Sequence, residues 1–130
     1  MTVEKGIQGQ LQEQIMAALW RAGSGTVEQV RSGLPPRYRG AYTTVQTVLN
    51  RLQERGLLTR KRDGLAFVYR PTLTETEYVS RTIETALAGT SIEVRQAVLA
   101  QLVGGLDRGE LAGLRKLSAQ TAARRGKDSP

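Results

Sequence analysis

Thr43, Thr44, Gln46, Thr47, Asn50 and Arg51 are the residues of this chain best suited to chemistry with a partner. That chemistry is hydrogen bonding rather than bond breaking: short hydroxyls, amides and a guanidinium can reach the base edges and phosphates of a duplex. All six lie in the stretch Gly40 to Gly56, GAYTTVQTVLNRLQERG. On a helix, at about 100° per residue, Ala41, Val45, Val48, Leu49 and Leu52 fall on one side, with Tyr42 at its edge, and the six polar residues fall on the other. The apolar stripe is wide enough to dock on a core. A solvated outer face would be rich in Lys and Glu, which form helices well. This one carries three threonines, whose β-branched side chains lose χ1 freedom in a helix, and Glu54 is its single carboxylate. The pattern reads as a recognition helix for the DNA major groove or, more blandly, as an amphipathic helix with an uncharged outer face. The neighbouring segments separate the two.

Upstream, Leu11, Ile15, Ala18, Leu19 and Ala22 recur at helical spacing and predict a helix over Gly9 to Ala22, stopped by Gly23-Ser24-Gly25. Met1 to Gln8 has no clear periodicity and is expected to fray. Thr26 with Gln29 has the spacing of a capping box and opens a second helix carrying Val27, Val30 and Leu34. Pro35-Pro36 ends it, and Arg37 to Gly40 makes a basic turn into the third helix. Gly56 suits the left-handed position just past a helix end. Downstream, Leu58 to Arg62 and Leu65 to Arg70 flank Asp63-Gly64, a strong hairpin signal. The first arm carries Arg60, Lys61 and Arg62 near the tip; the second, Leu65 to Tyr69, can lean its hydrophobes on the helices. Three helices and a hairpin with a basic tip is the order of a winged helix-turn-helix.

Composition agrees. The chain has 130 residues, a net charge of +7, and neither cysteine nor histidine. Ser-His and Cys-His nucleophile pairs are therefore excluded, as are thiolate metal sites. No enzyme activity, metal or cofactor is expected. No membrane span or secretion signal is legible, so the chain reads as cytoplasmic. Up to Leu73, eleven basic residues face five acids, a net +6; from Thr74 onward the balance is +1. The charge sits with the recognition-helix candidate, which suggests a polyanion partner for the first part and a protein partner for the second.

From Thr74 the pattern turns wholly helical. Capping signals at Thr74/Glu77, Ser91 and Asp107/Glu110 open three helices, with breaks at Gly89 and Gly104-Gly105. Three short helices make a thin core alone, so their apolar stripes are expected to bury against a second copy. Tyr78, Leu87, Val98, Leu102, Leu111, Leu114 and Leu117 are the expected dimerisation residues. The bland alternative is a helical cap on the chain's own first part. Residues 124–130 read as a disordered polar tail. The expected organisation is thus mainly α with a small β-hairpin: a winged helix domain over 1–73, a helical dimerisation region over 74–122 and a tail over 123–130.

The chain resembles the BlaI/MecI/CopY family of bacterial repressors, which includes the penicillinase repressors. The matching pieces are Gly9, Leu11, Ile15-Met16 and Leu19-Trp20 in the first helix, Thr26-Val27 and Val30 in the second, and Ala41-Tyr42-Thr43-Thr44-Val45, Thr47-Val48-Leu49 and Arg51-Leu52 in the third. Gly56-Leu57 and Tyr69-Arg70-Pro71 also fit. These cover roughly the first half; the second half matches loosely, in helix count and the Leu114-Arg115 pair. The resemblance implies a homodimer that binds an inverted-repeat operator in double-stranded DNA and blocks transcription. In the penicillinase branch it also implies a membrane sensor protease upstream and cleavage at an Asn-Phe bond; no such pair occurs around Val98 to Leu102. The copper branch uses C-terminal cysteines, and this chain has none.

The expected function is a dimeric, sequence-specific DNA-binding repressor. Thr43, Thr44, Gln46, Thr47 and Asn50 are expected at base edges, and Arg39, Arg51, Arg60, Lys61 and Arg62 at phosphates. The alternative is a winged-helix regulator that responds to a small molecule, which needs a cavity, usually lined by aromatics; aromatic content is only 5%. A protein-interaction module without DNA binding is disfavoured by the localised charge.

Overall fold

The computed structural model describes residues 7–128. Their elements run α1 (Gly9–Ala22), α2 (Val27–Gly33), a 3-10 turn (Pro36–Tyr38), α3 (Tyr42–Glu54), β1 (Leu58–Asp63), β2 (Ala66–Pro71), α4 (Glu75–Ala88), α5 (Ile92–Gly104) and α6 (Arg108–Asp128). This is a winged helix-turn-helix followed by further helices, as the sequence predicts.

Local signals set the helix ends. Thr26 Oγ1 accepts from the Gln29 amide at 3.2 Å and Gln29 Oε1 accepts from the Thr26 amide at 2.9 Å, a complete capping box. The same reciprocal pair forms at Thr74/Glu77 and at Asp107/Glu110, and Ser91 caps α5. Each such cap satisfies amides that the first helical turn leaves open. Ala41 behaves otherwise than expected: it is the exposed residue before α3 rather than part of its apolar stripe. At the other end Gly56 adopts φ +83°, where a Cβ would be strained, and turns the chain into β1.

One core holds the first part together. Ile15, Met16 and Leu19 of α1 meet Val30 and Leu34, the α3 stripe Val45, Leu49 and Leu52, and Leu57, Leu58 and Tyr69. Burying each large side chain stabilises the fold by about 1.5–3 kcal/mol. The hairpin is antiparallel, pairing Leu58 with Pro71, Arg60 with Tyr69, Arg62 with Phe67 and Asp63 with Ala66. Gly25 adds an isolated bridge to Tyr69 through two hydrogen bonds of 3.0 and 2.8 Å.

The wing corrects two expectations. Its two-residue turn is Gly64-Leu65, one residue beyond Asp63-Gly64, and Gly64 takes φ +64°. Leu65 therefore sits on the tip, 99% exposed, instead of leaning on the helices, and Phe67 is exposed as well. Of this strand only Tyr69 packs into the core; half-buried Val68 lies on the opposite face, across from Lys61.

The chain divides into two compact units, up to Ala88 and from Gly89. In the first, α4 is tied down by Trp20 Nε1 donating to the Leu73 carbonyl at 2.9 Å and by the Trp20 and Tyr78 rings, 5.8 Å apart. The Tyr78 hydroxyl accepts from the Ile7 amide at 2.8 Å, so Ile7 is held where fraying is expected; Met1 to Gly6 lie outside the described residues. In the second unit α6 continues to Asp128 and takes in Arg124 and Arg125, where a tail is expected. Ser129 and Pro130 lie outside the described residues. No helix among the described residues is long and apolar enough to cross a membrane.

Candidate nucleic-acid interface

The buried stripe of α3 fixes which way its other face points. With Val45, Val48, Leu49 and Leu52 buried, Thr43, Thr44, Gln46, Thr47 and Arg51 are all exposed on the outside. Thr47 Oγ1 donates back to the Thr43 carbonyl at 2.9 Å, which leaves its methyl group and oxygen lone pairs for a partner. No side chain caps the start of α3 at Ala41, so the positive end of this helix faces outward.

Asn50 is placed differently. It is half-buried, and its Oδ1 accepts from the Tyr69 hydroxyl at 2.7 Å and from Arg60 Nη1 at 2.9 Å. Of the expected base-reading set it is the one turned toward the wing. Arg39 likewise has a structural engagement: its Nη2 donates to the carbonyls of Ser32 and Leu34 at 3.3 and 2.9 Å. Arg31 Nε donates to the Gly40 carbonyl at 2.7 Å. Together these two guanidiniums hold the turn that delivers the chain into α3, a role that no local sequence pattern announced for Arg31.

On the wing, the guanidiniums of Arg60 and Arg62 lie 4.4 and 5.6 Å from the centre of the Phe67 ring. Such stacking is worth about 0.5–1 kcal/mol at exposed sites and holds both cations on one face. Phe67 was absent from the expected site, although its cross-strand position opposite Arg62 is the kind of pairing that stabilises hairpins. Lys61 points to the other face by strand alternation and lines a shallow groove with Ser24, Thr26 and Arg70. Arg51, Arg60, Lys61 and Arg62 form no salt bridge among the described residues. The result is an exposed polar helix face beside a basic wing.

The expected dimerisation residues divide. Tyr78 is engaged within its own unit and Leu87 is buried. Val98 and Leu111 are half-buried, whereas Leu102, Leu114 and Leu117 are 53%, 42% and 62% exposed.

Comparison with known proteins extends this picture across both units. The family model described as the penicillinase repressor matches residues 8–120. The transcriptional regulator BlaI of Mycobacterium tuberculosis (strain ATCC 25618 / H37Rv) is 36% identical over 124 residues, covering 94% of this chain and 90% of that protein. The penicillinase repressor of Bacillus licheniformis is 30% identical over 66 residues, about half of each chain. Among solved structures, the DNA-binding domain of the repressor BlaI aligns with a TM-score of 0.48 at 28% identity, covering 55% of this chain and 87% of that one. A model match over most of the sequence, joined by a relative aligned along nearly its whole length, makes this chain a member of the penicillinase repressor family of transcriptional regulators.

Proposed function

We propose that the protein is a homodimeric repressor that binds an inverted-repeat operator, with α3 in the major groove and the wing on the flanking backbone. The observation that carries this reading is the outward display of Thr43, Thr44, Gln46 and Thr47 on a helix locked by buried Val45, Leu49 and Leu52. These four side chains contact base edges. Arg51, Arg60, Lys61 and Arg62 meet phosphates, and the uncapped start of α3 favours a phosphate for the same electrostatic reason. The exposed leucines of α5 and α6 supply the contact between copies. A chromosomal operator implies a cytoplasmic site of action.

Selection of bound fragments from random DNA at physiological salt tests the reading. A two-fold-symmetric enriched site is expected; recovery of no common sequence overturns it. On that site, Thr44→Ala and Thr47→Ala should each lower discrimination against random DNA by about 1–3 kcal/mol, the worth of a base contact. Equal binding of both DNAs by parent and variants would show that this face does not read bases. Lys61→Ala should weaken operator and random DNA alike and reduce the slope of log K against log salt by about 1. A sequence-dependent loss, or an unchanged slope, would remove Lys61 from the phosphate contacts.

The small-molecule reading has one observation in its favour. A cleft of about 660 Å³ opens between α1 and the segment leading into α4, lined by Trp20, Arg21, Leu73 and Glu75 among others. That reading requires a reproducible stabilising ligand in a thermal-shift screen.

A further inference from the structure

We propose that Asn50 is a positioning residue that latches the wing to α3, so that both elements meet the duplex at one fixed angle; the proposal rests on the DNA-binding reading above. Its amide oxygen receives two hydrogen bonds, from the Tyr69 hydroxyl and from Arg60 Nη1. A carbonyl oxygen has two lone pairs, so this one is saturated. The two donors are direct partners across the hairpin, Arg60 on β1 and Tyr69 on β2. One side chain of α3 thus grips a complete rung of the wing.

That rung is fixed from its other sides as well. The Tyr69 ring is 1% exposed in the core, and its backbone pairs with Gly25 in both directions. The Arg60 guanidinium lies over the Phe67 ring, 4.4 Å from its centre. Beyond the rung the hairpin runs out through exposed Lys61, Arg62 and the Gly64-Leu65 turn. A two-stranded ribbon is marginal in water without such support. The separation of Lys61 and Arg62 from Thr43, Thr44 and Thr47 is therefore set where Asn50 holds the hairpin. A base-reading Asn50 would act through its own contact and leave the wing undisturbed. A positioning Asn50 shares its effect with Tyr69, which is too deeply buried to read a base.

Because the chain holds no cysteine, Leu65→Cys and Glu54→Cys can carry a pair of spin labels across wing and helix. The full-length parent should give a narrow label-to-label distance distribution, and Asn50→Ala and Tyr69→Phe should each broaden it. Without labels, both variants should reduce the salt slope on the selected operator by about 1–2, the share of two wing phosphates. The double variant should fall no further than either single one. Tyr69→Phe keeps the packed ring, so it carries the test if Asn50→Ala fails to fold. Distances that stay narrow overturn the latch without reference to DNA. Broadened distances with the parent's slope overturn its role in binding, as does a loss confined to Asn50→Ala while Tyr69→Phe binds like the parent. A parent with no salt-dependent binding to any duplex removes the underlying DNA reading, and its own titration shows this before any variant is made.

Discussion

Leu102→Asp is expected to turn the proposed dimer into a monomer and to lower operator affinity by about 10²–10⁴, the span typical of losing a linked second site. Leu102 is half exposed on α5, a helix none of whose residues is buried. Ile92, Leu99 and Val103 of the same helix are exposed too, as are Leu114 and Leu117 of α6. So much exposed apolar surface on two helices supports the proposed contact between copies. A carboxylate placed in that seam would have to be desolvated without a counter-charge. The winged unit has its own core, so its binding to a single half-site should be unchanged. Sedimentation and operator titration on the same sample check both halves of the prediction, and Leu117→Asp repeats it on α6. Variants that remain dimeric and bind the full operator as the parent does would show that these leucines do not form the interface.

Leu49→Ala should produce the largest loss of stability. Leu49 is fully buried at the middle of α3, between the stripe residues Val45 and Leu52. Truncating a buried leucine costs about 2–5 kcal/mol, the transfer energy of the lost carbons plus the cavity left behind. For a domain of this size each kcal/mol shifts the midpoint by about 4–8 °C, so thermal unfolding of the winged unit should move down by roughly 8–40 °C. Thr44→Ala, on the opposite face of the same helix, should stay within about 0.5 kcal/mol of the parent. A small shift for Leu49 or a large one for Thr44 would mean that the two faces of α3 have been exchanged.

The faces of α3 were legible because a helix with one buried side repeats its apolar residues at a fixed spacing. The capping boxes at Thr26, Thr74 and Asp107 were legible for a similar reason: their partners lie three residues away. The wing turn was not. Asp63-Gly64 suggests a turn with positive φ at both central residues, but no non-glycine described residue adopts positive φ. Moving the turn to Gly64-Leu65 confines that conformation to the glycine and leaves Leu65 on the tip. The engagements of Asn50 and Tyr78 were hidden for another reason. Asn50 bonds across to Tyr69 and Arg60, and Tyr78 packs on Trp20 and Ile7. Contacts between residues so far apart in the chain leave no periodic trace. Residue type and helical spacing suggest Asn50 as a reader and Tyr78 as an interface residue, and the assembled fold adds the contacts that each one makes.

The lack of any buried residue on α5 has a bearing on gene dosage. The winged unit closes its core with residues made early in synthesis, so it can mature on the ribosome while α5 and α6 are still being translated. In the proposed dimer the later helices are completed only by a second copy, and the yield of paired molecules rises with the square of their number when copies are scarce. Promoter occupancy should then respond to cellular abundance more steeply than a lone winged unit would allow, making a modest drop in supply enough to lift repression.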